Sequence, residues 1–214
     1  AKEFSLGSMD GFQFNISVGY DLEGIKSEKI DNFLNTMQHA QDADIFRTCR
    51  EYLLAHTDLF EHVTKEDIES ISGDICNSVT ISTLHGCPPQ EIERIAMYLI
   101  TEKGFHTFIK CNPTLLGYEY ARKMMDDMGY DYVAFGDFHF KDDLQYEDAV
   151  PMLTRLMKVC EERNLEFGVK ITNTFPVDVK QNELPSEEMY MSGKSLYPLS
   201  ISVAAKLAKD FGGK

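Results

Sequence analysis

The feature that most constrains the fold is a regular alternation of strand-like and helix-like segments after residue 78. The strand-like runs cover residues 79–83, 107–110, 132–135 and 167–171. The amphipathic runs between and after them cover residues 89–103, 118–128, 147–164 and 199–211. Strands that alternate with helices of this length indicate βα units and a parallel sheet. We therefore predict an α/β fold.

The number of units predicts an incomplete barrel. With a further strand over Phe12–Val18, the chain has about five βα units, whereas a closed TIM barrel has eight. Helical patterns within residues 27–72 exceed what one crossover needs, so we expect a helical insertion or lid there and regular βα units over 78–214. The ends lead us to expect an internal fragment of one TIM-barrel-like domain. Open sheet edges would then favour self-association.

Charge and composition exclude several classes of partner. The chain carries 35 acidic and 21 basic residues, a net charge of -14, which disfavours binding to nucleic acid. It has no long apolar run and no signal-peptide pattern, so we expect neither a membrane nor a secreted location but a cytoplasmic protein. The five cysteines form no Cys-x-x-Cys motif, so we predict no metal site made by this chain alone. The acidic run at 141–143 is interpreted as a solvated surface.

Two predicted strands end in the same kind of polar cluster. The first carries Lys110 and Asn112, and the second carries Lys170 followed by Thr172-Asn173-Thr174. The carboxyl ends of strands hold ligands in α/β proteins. A lysine suits an anion or an electron-rich ring, and an asparagine both donates and accepts hydrogen bonds. The clusters predict a small-molecule or cofactor site. The structural alternatives are a lysine that reaches solvent and a simple turn.

Two loops that lead into helices add further candidates. The run STLHGCPP offers Thr83, His85 and Cys87, and the helix dipole favours the thiolate of a cysteine placed before a helix. Cys87 is therefore a candidate acid, base or nucleophile, although Gly86 and the prolines are also typical of a plain turn. Ser192-Gly193 precedes the last helix, where backbone N–H groups can bind a phosphate.

Specific motifs resemble a known family. The runs LHGCPPQEIERIA, CNPTLLGYEYA and ITNTFPV resemble the bacterial family named for a selenate reductase subunit, an iron–sulfur and flavin oxidoreductase of the dihydroorotate/dihydropyrimidine dehydrogenase superfamily. The resemblance implies an FMN-linked oxidoreductase barrel, with Lys110, the 172–174 triplet and Ser192-Gly193 at flavin positions. It also implies that iron–sulfur clusters and FAD or NAD(P) sites lie outside this chain, in other domains or subunits of a redox complex.

The chain departs from the superfamily at the catalytic loop. When His85-Gly86 is aligned with the superfamily's His-Gly pair, Thr83 takes the place of the usual catalytic cysteine and Thr80 that of an asparagine. Cys87 is then an out-of-register substitute. The chain alone is expected to be inactive and to hold no tightly bound flavin.

Two other functions remain open from the sequence. One is a non-catalytic docking or scaffold barrel, and the other is a metal-dependent lyase that uses His85, Asp137 and His139. The sequence does not identify the small-molecule substrate. Flavin bound to the full-length protein would distinguish the redox enzyme from both alternatives.

Overall fold

A parallel sheet of four strands forms the centre of the structure, a computed structural model that describes residues 2–5, 7, 14–82 and 86–213. The strands lie in the sheet in the order of the sequence. They are β1 (Ile16–Val18), β2 (Ser78–Ile81), β3 (His106–Cys111) and β4 (Phe167–Ile171). The parallel pairing confirms the predicted α/β fold. Strands β3 and β4 agree with the predicted runs at 107–110 and 167–171 to within one residue at each end.

Nine α-helices occur in the described part of the chain. They are α1 (Leu22–Ile25), α2 (Glu28–Gln38), α3 (Asp44–Ala55), α4 (Lys65–Glu69), α5 (Pro89–Thr101), α6 (Tyr118–Asp127), α7 (Phe138–Asp142), α8 (Tyr146–Glu162) and α9 (Tyr197–Asp210). Among them, none is both long and apolar enough to cross a membrane.

The two faces of the sheet differ because side chains alternate along each strand. In β3, Thr107, Ile109 and Cys111 are buried, whereas Phe108 and Lys110 on the opposite face are only partly buried. Helix α5 packs against β2 and β3, and α8 against β4. Helix α5 buries Ile92, Ile95, Ala96, Leu99 and Ile100, as expected for the amphipathic run predicted at 89–103. The helix-covered face is therefore the core, and along β3 the opposite face is less deeply buried.

The predicted strand at 132–135 is wrong. Its backbone groups bond elsewhere: Arg122 Nη1 donates to Val133 O at 2.6 Å, and the Asp178 N–H donates to Ala134 O at 2.8 Å. The Arg122 guanidinium also lies 4.4 Å from the ring centroid of Phe135. Strand β4, which comes later in the sequence, pairs with β3 instead.

An antiparallel hairpin of β5 (Phe175–Asp178) and β6 (Glu188–Met191) follows the sheet and was not predicted. Pro176 in β5 obscures the strand pattern, because proline is unfavourable inside a sheet. The buried ring of Phe175 makes edge-on contacts with Phe135 and Phe140, at centroid distances of 5.0 and 5.5 Å. The hairpin and the irregular 130–136 segment therefore share one aromatic cluster.

Helix α2 is fastened near the amino ends of the strands. Tyr98 Oη in α5 donates to Asp31 at 2.8 Å, and Lys103 forms an ion pair with the same carboxylate. The N–H of Cys76, two residues before β2, donates to Met37 O at 2.9 Å. These contacts lie near the amino ends of the strands, whereas Lys110 lies near the carboxyl end of β3. The interpretation of the 27–72 segment as an insertion or lid stays a prediction.

We expect Arg122→Met to destabilise the protein. The change removes a partly buried cation that bonds two backbone carbonyls, so the free energy of unfolding should fall by about 2–3 kcal/mol. Urea unfolding measures it. The matched control is Lys123→Met, since Lys123 is 75% exposed, and it should change the free energy by less than about 0.5 kcal/mol. Equal effects of the two changes would show that Arg122 does not hold the 130–136 segment.

Candidate functional site

Two lysines lie side by side where β3 and β4 end. Lys110 and Lys170 are Cα partners in the register of the two strands, so their side chains leave the same face of the sheet. Lys110 is half-buried and Lys170 is exposed. Lys110 Nζ donates a hydrogen bond to Oγ of Ser82, the residue after β2. The ends of β2 and β3 are thus joined through one ammonium group, and Lys170 of β4 stands beside it.

The electrostatics of this pair are unfavourable in the protein alone. Burial and, to a smaller extent, the positive charge of Lys170 lower the pKa of Lys110. Among the described residues, no carboxylate forms an ion pair with either lysine. Such a pair is notable in a chain of net charge -14, where carboxylates are abundant. Like charges held together disfavour their charged forms, so a bound anion would stabilise this arrangement.

The aromatic ring of Phe108 lies on the same face of the sheet as the two lysines. Phe108 precedes Lys110 by two residues and faces the same way, and Gly168 is its partner in β4. A Cβ at position 168 would lie 2.8 Å from two atoms of the Phe108 ring, so glycine lets the ring lie against the β4 backbone. On the other side, Thr80 is 4% exposed and accepts a hydrogen bond from Asn15 Nδ2 at 2.8 Å. This face of the sheet therefore carries one aromatic ring, the hydroxyl groups of Thr80 and Ser82, and two cations at the strand ends.

A buried carboxylate joins the loops after β2 and β3. Asp143 is 4% exposed, and its carboxylate accepts hydrogen bonds from the Gly86 N–H at 2.9 Å, Asn112 Nδ2 at 3.0 Å and Thr114 Oγ1 at 2.9 Å. The sequence interpretation of 141–143 as solvated is wrong for this residue. No local pattern reveals it, because all three partners are distant in sequence.

Cys87 lies beside this network, while two other predicted catalytic residues, Thr83 and His85, lie outside the described residues. Cys87, Lys110, Asn112 and Asp143 line one small cavity of about 10 Å³, together with apolar side chains. A cavity of this size holds one water molecule. The structure therefore brings the thiol to the same place as the first strand-end cluster.

The triplet after β4 makes structural contacts. The Asn173 N–H donates to Cys111 O at 3.0 Å, and its side-chain Oδ1 accepts from the Thr174 N–H at 2.9 Å. Thr172 Oγ1 lies 2.7 Å from Ser200 Oγ in the first turn of α9. These bonds attach the end of β4 to β3 and to α9. A ligand role for Thr172, Asn173 and Thr174 stays a prediction.

The turn before α9 is exposed. Ser192 and Gly193 are both exposed, and Gly193 has a φ of 68°, which favours glycine. No described contact joins them to Lys110 or Lys170. They stand before the helix whose first turn touches Thr172, and phosphate binding there stays a prediction.

Asp137 and His139, two residues of the predicted lyase site, bond to different residues, and the third, His85, lies outside the described residues. Asp137 pairs with Lys141, and His139 Nε2 lies 2.9 Å from Glu188 Oε1. Within the described ranges, no three His, Cys, Asp or Glu side chains are grouped to hold a metal.

Comparison with known proteins shows the family. The sequence matches, over residues 1–214, the family described as "Oxidoreductase YgfK, N-terminal TIM-barrel domain". The chain belongs to this family. Two curated proteins named "Putative oxidoreductase YgfK", from Escherichia coli strain K12 and from Escherichia coli O157:H7, are each 45% identical to it over 214 residues.

The match covers 95% of this chain and 21% of each relative, so the chain spans about a fifth of the length of the curated relatives it matches. No solved structure matches the sequence. The family confirms the predicted TIM-type fold, of which the parallel sheet of four strands is a part. The family description names an oxidoreductase of which the TIM barrel is the N-terminal domain, in agreement with the predicted multi-domain redox protein.

We expect Lys170→Met to raise the pKa of Lys110 towards its ordinary value. The change removes the charge of Lys170, while the larger effect of burial remains, so the pKa should stay somewhat low. Titration of the Lys110 side chain by NMR measures it. Lys194→Met, which removes an exposed lysine from the turn before α9, is the control and should leave the pKa of Lys110 unchanged. The same result for both variants would mean that Lys110 and Lys170 do not interact.

Proposed function

We propose that the face of the sheet opposite the helices binds the ring of FMN, and that this chain is the flavin-binding part of a multi-domain redox enzyme. The observation that carries the proposal is the pair Lys110 and Lys170, two adjacent cations without a carboxylate partner among the described residues. They stand at the carboxyl ends of parallel strands, where barrel enzymes bind their ligands. An electron-rich ring that becomes anionic when reduced fits such a pair.

The residues present suit a flavin in three respects. The two ammonium groups would hold the pyrimidine side of the ring and favour negative charge there. Phe108 and the side-chain-free Gly168 offer a flat apolar surface beside them. Asn112, one residue beyond β3, would bond the ring or a substrate. When bound, the flavin supplies the capacity to accept and donate a hydride or single electrons.

Cys87 is the proposed proton-transfer residue. Its side chain lines the same cavity as Lys110 and Asn112, and it precedes α5, whose dipole favours a thiolate. Thr83 and His85, which precede Cys87 by four and two residues in the sequence, are proposed to assist.

The more specific enzyme type of the parent protein is inferred from the sequence resemblance and is also a proposal. It assigns the parent protein to the selenate reductase subunit type, with iron–sulfur clusters and FAD or NAD(P) in other domains that deliver the electrons. Selenate itself is not implied by any side chain of the site.

The experiment that tests this function is the identification of cofactors in the purified full-length protein. We expect stoichiometric FMN after denaturation, separated by chromatography from any FAD. A protein that contains no FMN, and does not bind added FMN, would contradict the proposal and favour a scaffold role.

We expect Lys110→Met in the full-length protein to reduce the FMN content, because it removes the more buried of the two cations. The affinity for FMN should fall by about tenfold or more, as expected for the loss of a hydrogen bond to a charged group. Absorbance titration with FMN measures the affinity. Lys141→Met is the control, since Lys141 is 74% exposed and pairs with Asp137, and it should bind FMN normally. Indistinguishable affinities would remove the argument for Lys110.

A further inference from the structure

Asp143 is the buried charge that the proposed chemistry does not yet use. It follows α7, and Gln145 Nε2 fixes its backbone by donating to Asp143 O at 2.6 Å and to Phe140 O at 2.8 Å. Its carboxylate then receives the three hydrogen bonds from Gly86, Asn112 and Thr114. A buried carboxylate is costly unless hydrogen bonds compensate for lost hydration, so these donors are held firmly in place.

The donors belong to the two loops that carry the candidate site. Gly86 immediately precedes Cys87, and Asn112 lies two residues after Lys110. Gly86 has a φ of 76°, and a Cβ there would lie 2.4 Å from Asp142 Oδ2. Only glycine therefore brings this N–H to Asp143 without strain. The carboxylate sets the distance between the loop of the thiol and the end of β3.

We propose that Asp143 is a positioning residue, which holds the Cys87 thiol and the Lys110 ammonium group at one bound ring. This inference rests on the proposed flavin site. Asp143 acts through Gly86 and Asn112 and not by contact with the ligand. A carboxylate suits the task because it accepts from several donors and donates to none.

The test is Asp143→Asn in the full-length protein, which keeps the shape of the side chain but replaces one of the two acceptor oxygens with an NH₂ group that cannot accept a hydrogen bond. Asp131→Asn is the matched control, because Asp131 is exposed and has the same charge. The first measurement is the rate of alkylation of Cys87, followed by mass spectrometry of its peptide. Exposed Cys49 and buried Cys160 are internal references.

We expect the Asp143→Asn protein to alkylate Cys87 roughly tenfold faster, because the loop opens more often once its hydrogen bonds to a charged group are lost. Cys49 and Cys160 should react at their normal rates. Unchanged reactivity of Cys87 would overturn the inference. An equal rise at Cys160 would also overturn it, since general destabilisation would then explain the result.

A milder variant covers the case in which Asp143→Asn fails to fold. Thr114→Val removes one donor at nearly constant shape, and we expect about a threefold rise in the alkylation of Cys87 alone. A rate equal to that of the wild type would again overturn the inference.

The second measurement is the affinity for FMN, which should fall by roughly tenfold in Asp143→Asn and stay constant in Asp131→Asn. Unchanged FMN affinity in a variant with faster Cys87 alkylation would also overturn the inference, since the ring would then be held independently of Asp143. Wild-type protein that binds no FMN would refute the proposed function, while the alkylation rates would still decide whether Asp143 positions the loop.

Discussion

The register between β3 and β4 determines the candidate site. It places Lys110 opposite Lys170 and Phe108 opposite Gly168, so that cations and an aromatic ring share one face. A slip of one residue would turn Lys170 towards the helices and Val169 towards the ligand side, because side chains alternate along a strand. The apolar residues of the helix-covered face therefore specify, through the same register, where the charges of the opposite face stand.

The site is held together at a cost in stability. Many other cations of the protein pair with carboxylates, as in the bidentate pair of Arg155 with Glu93 at 2.6 and 2.7 Å. At the strand ends the arrangement is different: two cations stand together, and the buried carboxylate of Asp143 accepts hydrogen bonds from Gly86, Asn112 and Thr114. Strained or unfavourable local arrangements of this kind are typical of functional sites. The lysine pair and the Asp143 network are connected, because Asp143 bonds Asn112, which lies two residues after Lys110, and Gly86, which precedes Cys87.

The sequence predicted what depends on local periodicity and missed what depends on distant partners. The buried stripe of α5 and the strands β3 and β4 follow from apolar spacing, and the lysines that the sequence places near the ends of β3 and β4 lie side by side. The 132–135 run has a strand-like composition, but Arg122, ten residues before Tyr132, donates to the carbonyl oxygen of Val133 within it. Asp143 stands in a charged run, and only folding brings its three donors to it. Neither the contact of Arg122 nor those of Asp143 can be recognised from the spacing of apolar and polar residues nearby in the sequence.

A crystal structure of the full-length protein with its bound cofactor tests the central claim most directly. The account predicts the ring of FMN on the face that carries Phe108, with polar atoms of the ring within hydrogen-bonding distance of Nζ of Lys110 and of Lys170. A flavin bound elsewhere, or a carboxylate of another domain paired with both lysines in place of a ligand, would contradict it.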